Sequence, residues 1–184
     1  MDWSDGRRVR GERRRSAIIA ATLRVVERDG VAGVTHRAVA REAGVPASSA
    51  TYYFATLDDL LVAALTAAAE EYARQLREIV DGGRDEIEGL AQLIADGGGP
   101  GRARALAERE LELLAVRRPA LRPVARHWRD TVAAVAWRYT DDPLTVEELV
   151  AAADGLCTRV LLEDEPPAMP EILAVLRRAV HPKN

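Results

Sequence analysis

Three features of the 184-residue sequence predict an all-α chain. Apolar residues recur at helical spacing in almost every stretch, the stretches are separated by Gly- and Pro-containing breakers, and no alternating run rich in Val, Ile, Thr or Tyr lies between turn signals. About nine helices follow, divided between an amino-terminal three-helix head over residues 1–56 and a larger carboxy-terminal body over residues 57–184. Apolar residues make up 48% of the chain and aromatics only 4%, so Leu, Val and Ala must fill the core.

The first helix is expected over about residues 13–29, with Ile18, Ile19, Thr22, Leu23 and Val26 on one stripe and Gly30 ending it. Thr35 stands where an N-cap belongs, because its hydroxyl can accept from a backbone N–H in the next turn. The second helix runs to about Ala43, and Gly44 can take the left-handed conformation that stops a helix without steric cost. A short third helix follows, from Pro46 or Ala47 to about Phe54. Thr56 and Asp59 are spaced as a capping-box-like pair, and the long helix behind them carries Leu57, Leu60, Leu61, Ala64, Leu65, Ala68, Tyr72, Leu76 and Ile79 on one side. Further helices are delimited at about 85–96, 102–117, 119–139, 145–163 and 169–180 by the Gly- and Pro-containing breaks between them. Pro123 implies either a helix start there or a kink. The glycines at 97–101 read as a flexible connection.

Net charge is −3, but it is unevenly distributed. Residues 1–45 hold 10 Arg and no Lys against 6 acids, leaving 16 cations against 23 acids in the remainder. A basic head and an acidic body fit a head that meets phosphate and a body that does not. Cys157 is the only cysteine, which excludes an intramolecular disulfide and is compatible with a reducing cytoplasm. The charged start, MDWSDGRRVRGERRR, lacks the apolar stretch of a signal peptide, and no apolar run approaches the ~20 residues that span a bilayer. A cytoplasmic chain without a membrane partner is the expectation.

The segment THRAVAREAGVPASSATYYF places two short helices around a tight turn, the arrangement in which one helix braces the next against a DNA groove. The second of these helices is not Leu-rich: it offers Ala47, Ser48, Ser49, Thr51, Tyr52 and Tyr53. Small residues permit close approach to DNA, and hydroxyls can reach phosphates or base edges. A plain polar surface helix with its tyrosines packed on the first helix is the alternative. Arg37 and Arg41 lie one turn apart, and arginines at 7, 8, 10, 13, 14 and 15 form a basic arm that either binds phosphate or is a solvated tail.

On these residues the chain resembles the tetracycline-repressor (TetR) family: TxxxVAxxAGV at 35–45, TYYF at 51–54, then a capped long helix. The resemblance covers about Arg14 to Leu65, and beyond it only the helical architecture matches. It implies a ligand-responsive regulator, most readily a repressor, that binds a palindromic double-stranded DNA operator as a homodimer and is released by a small-molecule effector. The matching positions imply DNA contacts from Thr35, His36 and Arg37 on the second helix and from Ala47, Ser48, Ser49, Tyr52 and Tyr53 on the third. The family often carries a cation near the start of the third helix and a Lys after the aromatic pair, where this chain has Ala47 and Leu57. The basic arm is expected to compensate.

In the body, helix 145–163 presents Leu149, Ala153, Leu156, Cys157 and Val160 on a wide apolar face, and the last helix presents Leu173, Leu176 and Val180. These faces could fill the monomer core, but the resemblance implies that Leu149, Ala153, Leu156, Val160, Leu173, Leu176 and Val180 form a four-helix dimer interface. Tyr72, Trp128, Trp137 and Tyr139 are bulky enough either to pack a core or to line a ligand cavity. Glu110 falls in line with Ala103, Leu106, Ala107 and Leu114, which calls for an ion pair with Arg109, Arg138 or Arg159, plain exposure, or a ligand contact. Asp154 is either a solvated or interface acid or a further ligand contact.

No enzymatic constellation is legible. His36, His127 and His181 lack metal-ligand spacing, and residues 97–101 lack the ending of a phosphate-binding loop, so no metal or cofactor is expected. The alternatives from other classes are a helical interaction protein that has lost specific DNA binding and a ligand-binding enzyme on a helical scaffold.

Overall fold

The computed structural model describes residues 3–82 and 85–180, and these are helical with no strand among them. Nine α-helices occur in the described residues: α1 Trp3–Asp29, α2 His36–Glu42, α3 Ala47–Tyr53, α4 Leu57–Asp81, α5 Glu86–Asp96, α6 Arg102–Arg117, α7 Arg122–Ala136, α8 Pro143–Leu162 and α9 Met169–Val180. The expected all-α class is observed. Short 3-10 turns at Val31–Gly33 and Pro119–Leu121 precede α2 and α7. His181 lies outside the described residues.

The arginine arm differs from the expectation. It is the first part of α1 itself, because α1 begins ten residues before the predicted start at 13 and runs unbroken to Asp29. Its charged residues, among them the Arg8–Glu12 pair at 3.1 Å, are compatible with a helix even where no apolar stripe marks one. Pro123 neither kinks α7 nor begins it: Arg122 is the first residue, and proline is tolerated in a first turn whose N–H groups have no intrahelical acceptor.

The glycine loop is also not a loose connection. A Cβ on Gly98 would stand 2.8 Å from the Pro166 Cβ, so the loop lies directly on the segment after α8. Arg102 then donates to the Val160 and Leu161 carbonyls at 3.1 and 2.7 Å, satisfying acceptors that the end of α8 leaves open.

Two buried clusters hold the chain. The first joins Ile18, Val25 and Val26 of α1 and Val39 of α2 to Phe54, to Leu60, Leu61 and Leu65 of α4, and to Ala107, Leu111 and Ala115 of α6. The second joins Tyr72 and Leu76 of α4 to α5, α7, α8 and α9. The first cluster therefore takes residues from both sides of position 56, and α4 and α6 run from head to body.

The residues expected at a dimer interface belong to the second cluster. Leu149, Ala153, Leu156, Val160, Leu176 and Val180 are all at most 6% exposed, and Leu173 packs half-buried against them. An amphipathic helix has one apolar face, and here the monomer core takes it. The outward face of α8 instead shows Leu144, Ala151, Gly155 and Leu162, and that of α9 shows Ala174 and Val175.

Candidate functional site: the outer helix of the head and the cavity of the body

The head is shaped by short-range bonds. Thr35 Oγ1 accepts from the Ala38 amide at 3.0 Å and caps α2. Gly44 has φ +64, the conformation that ends α2, and the Val45 amide donates back to the Ala40 carbonyl at 3.0 Å. Thr56 and Asp59 exchange bonds of 3.0 Å each way, completing a capping box at the start of α4.

Held this way, α3 lies on the surface with only Ala50 buried. Ala47, Ser48 and Tyr52 are exposed, Ser49 and Tyr53 are half-buried, and Tyr52 reaches 82% exposure. The Tyr53 ring meets the Tyr52 ring edge-on at 5.1 Å. A Cβ on Gly11 would stand 3.5 Å from the Tyr53 hydroxyl, so the early turns of α1 pass over the end of α3. Arg15 lies over the Phe54 ring at 5.1 Å, a cation–π contact that ties α1 to the same corner.

His36 and Thr35 have internal tasks. His36 Nε2 is 2.8 Å from the Phe54 carbonyl oxygen and ties the start of α2 to the end of α3, while the Thr35 hydroxyl serves as the cap. Arg24 and Arg28 both bind Glu42 at 2.8 Å, whereas Arg13, Arg14, Arg37 and Arg41 are exposed on the surface.

The body holds a cavity of about 380 Å³ between α4, α5, α6, α7 and α8. Tyr72 and Trp128 line it, their rings 6.4 Å apart and tilted by 59°. The Tyr72 hydroxyl is buried without a hydrogen-bond partner among the described residues, and burial pushes its ionisation well above the ordinary tyrosine range. Glu108 and Glu112 project from α6 into the same space. Burial raises both carboxyls, Glu112 to about 7 against the opposing pull of Arg109. Burial likewise raises the Cys157 thiol to about 12, which keeps it protonated and unreactive.

A second hollow of about 400 Å³ adjoins this cavity and shares Arg109, Glu112 and Trp128 with it. Asp154 lines that outer hollow, bound to Arg109 at 2.8 Å.

Three residues considered for the cavity lie elsewhere, and one of them, Tyr139, packs against the second buried cluster instead. Trp137 follows the end of α7 and is 48% exposed, outside the lining of either hollow. Glu110 points to the head: its carboxylate accepts from the Val31 amide at 2.7 Å, beside Gly30. The buried stripe of α6 is Ala107, Leu111 and Ala115, one position round from the expected line, which turns Leu106 out to 46% exposure. Glu108 and Glu112 were not among the expected residues. Their i,i+4 spacing puts them on one face, and that is the signal the sequence held for them.

Two separate matches cover most of the chain: residues 18–64 match the family "Bacterial regulatory proteins, tetR family", and residues 81–182 match "Tetracyclin repressor-like, C-terminal domain". The chain belongs to the TetR family of transcriptional regulators. Among solved structures, the multidrug binding protein EbrR complexed with imidazole is 45% identical, with 93% of this chain and 97% of that one covered and a TM-score of 0.78. EbrR has also been solved with ethidium, malachite green and proflavin. The TetR-family protein SCO1917 from Streptomyces coelicolor A3 is 46% identical over 90% of this chain and 97% of that one, with a TM-score of 0.79. The nicotine-responsive repressor HdnoR of Paenarthrobacter nicotinovorans is 31% identical over 83 residues, 45% of this chain but only 42% of that protein.

Proposed function

We propose that the chain is a ligand-responsive repressor that binds a palindromic operator as a homodimer and is released by a small molecule in the body cavity. The observation that carries this reading is the position of α6. That helix presents Glu108 and Glu112 to the cavity and, between them in sequence, Glu110 to the Gly30–Val31 hinge of the head. A ligand that shifts α6 therefore acts on the segment that orients α2 and α3.

On DNA, α3 enters the major groove, with Ala47, Ser48, Ser49, Tyr52 and Tyr53 reaching bases and phosphates and Arg37 reaching the backbone. Thr35 and His36 hold α2 and α3 in place. The outward stripes of α8 and α9, with Ala151, Gly155 and Val175, supply the dimer contact, since a Cβ on Gly155 meets open space. The dyes bound by EbrR support an aromatic, cationic effector.

Retention of DNA from upstream of the chain's own gene tests the regulator reading. Specific, salt-sensitive retention is expected, and no shift at low salt would overturn it. Deleting residues 1–12 should lower the dependence of log affinity on log salt by about 0.9 for each phosphate contact removed. An unchanged slope removes the arm from the interface.

A further inference from the structure

Glu108 and Glu112 sit one turn apart on α6, yet their surroundings differ. Glu108 accepts from Arg104 Nε at 2.9 Å. Arg104 also donates to Gln75 Oε1 at 3.2 Å and lies 4.0 Å from Glu71, so a network across α4 and α6 answers the Glu108 charge. Glu112 has Arg109 Nη1 at 3.1 Å, but that nitrogen donates to Asp154 Oδ1 at 2.8 Å, while Nη2 donates to the Asp154 carbonyl at 3.3 Å. The hydrogen bonds of Arg109 thus go to α8, and Glu112 receives the remaining attraction.

Around Glu112 the cavity offers what a cation with aromatic rings requires. Tyr72 and Trp128 give ring faces, and the buried Tyr72 hydroxyl has no partner among the described residues. The outer hollow carries Arg122, Arg126 and Arg129, which disfavour a positive ligand there and favour the inner space. Building on the reading of the chain as an effector-controlled regulator, we propose that Glu112, rather than Glu108, is the counter-ion for an aromatic monocation in this cavity. Tyr72 and Trp128 lie against the ligand's rings, and Arg109 yields Glu112 to the ligand while staying on Asp154.

Proton release follows. The charged and titratable groups that line the two hollows with Glu112 are Arg104, Glu108 and Arg109 on α6, Asp96 on α5, Asp154 and Cys157 on α8, Tyr72 on α4, and Arg122, Arg126 and Arg129 on α7. Burial sets the carboxyl near about 7, with Asp154 and Glu108 adding to the rise and Arg109 opposing it. A cation favours the deprotonated form. Affinity for a permanent cation is therefore full above neutrality and falls as pH drops through that value, by up to about tenfold per pH unit.

Ethidium, a permanent cation, is titrated by fluorescence against the full chain without DNA, from about pH 5.5 to about pH 8.5. The wild-type chain should show the slope below neutrality. Glu112→Gln should bind at least about tenfold more weakly at the upper pH and lose the slope, whereas Glu108→Gln should keep the slope and stay within about threefold. A slope retained by Glu112→Gln, a slope lost in Glu108→Gln, or no ethidium binding by the wild type overturns the assignment.

Calorimetry of the wild-type chain in two buffers of different ionisation enthalpy reads proton release without any variant. No proton released near pH 6 also overturns it. Operator retention, measured without dye, reports on the regulator reading separately. Retention without ethidium binding removes this site alone, and pH-linked ethidium binding without retention removes the regulator and leaves the site.

Discussion

Head and body are held by bonds of different reach. In the head, the caps Thr35 to Ala38 and Thr56–Asp59 close over three residues, and His36–Phe54 and Arg24–Glu42 over 18. In the body, Arg109 meets Asp154 across 45 residues and Arg102 meets Val160 across 58, while between body and head Glu110 meets Val31 across 79. A local cap fixes the shape of its own turn wherever the surrounding helices move. A long-range polar contact holds only while two helices keep their relative position, so it reports a shift between them. Under the proposed function, the head is then a preset reading surface and the body is the part whose arrangement a ligand changes. Helix α6 belongs to both, packing Leu111 into the head's core and lining the body's cavity.

The sharpest challenge to that division is Leu111→Ala. Leu111 is fully buried in the cluster shared by α1, α4 and α6, and removing its side chain should cost about 2–5 kcal/mol in urea unfolding. The head should lose stability together with the body, because the cluster spans both. A loss below about 1 kcal/mol would show that the head folds on its local bonds and that α6 is no part of its core.

Next in size is Glu110→Ala, which leaves the half-buried Val31 amide without its carboxylate acceptor. The expected loss is about 1–3 kcal/mol, with Glu110→Gln losing less because an acceptor remains. Hydrogen exchange at Val31 should accelerate in the alanine variant. If exchange there is unchanged, Glu110 does not couple the body to the hinge.

The same difference in reach explains what could be read from the sequence. The caps at Thr35 and Thr56, the stop at Gly44 and the polar character of α3 depend on neighbours within four residues, and all stand where the spacing put them. The apolar faces of α8 and α9 were legible as faces, but not what covers them. Leu149 and Leu176 look alike in sequence whether a second chain or α5 and α7 lie opposite. Glu110 was legible as an acid needing a partner, yet that partner is a backbone amide, which no residue type announces. Glu108 and Glu112 were hidden in a run of alternating charges, ERELE, where a small rotation of the helix decides which acids face inward.

The smallest expected effect isolates the local half of the comparison. Thr35→Ala removes the oxygen that accepts from Ala38, leaving that amide to water at the exposed start of α2, and should cost about 1 kcal/mol. Thr35→Ser keeps the hydroxyl and should restore most of it. Because the bond closes over three residues, the damage should stay in α2 and the turn to α3: faster exchange of the first amides of α2, with amides of α5 and α8 unchanged. Ethidium binding to the isolated protein should not move either, since the cavity lining lies outside the head. Faster exchange spreading to α8, or a changed dye affinity, would mean that the cap also reaches the body and that the head is not preset.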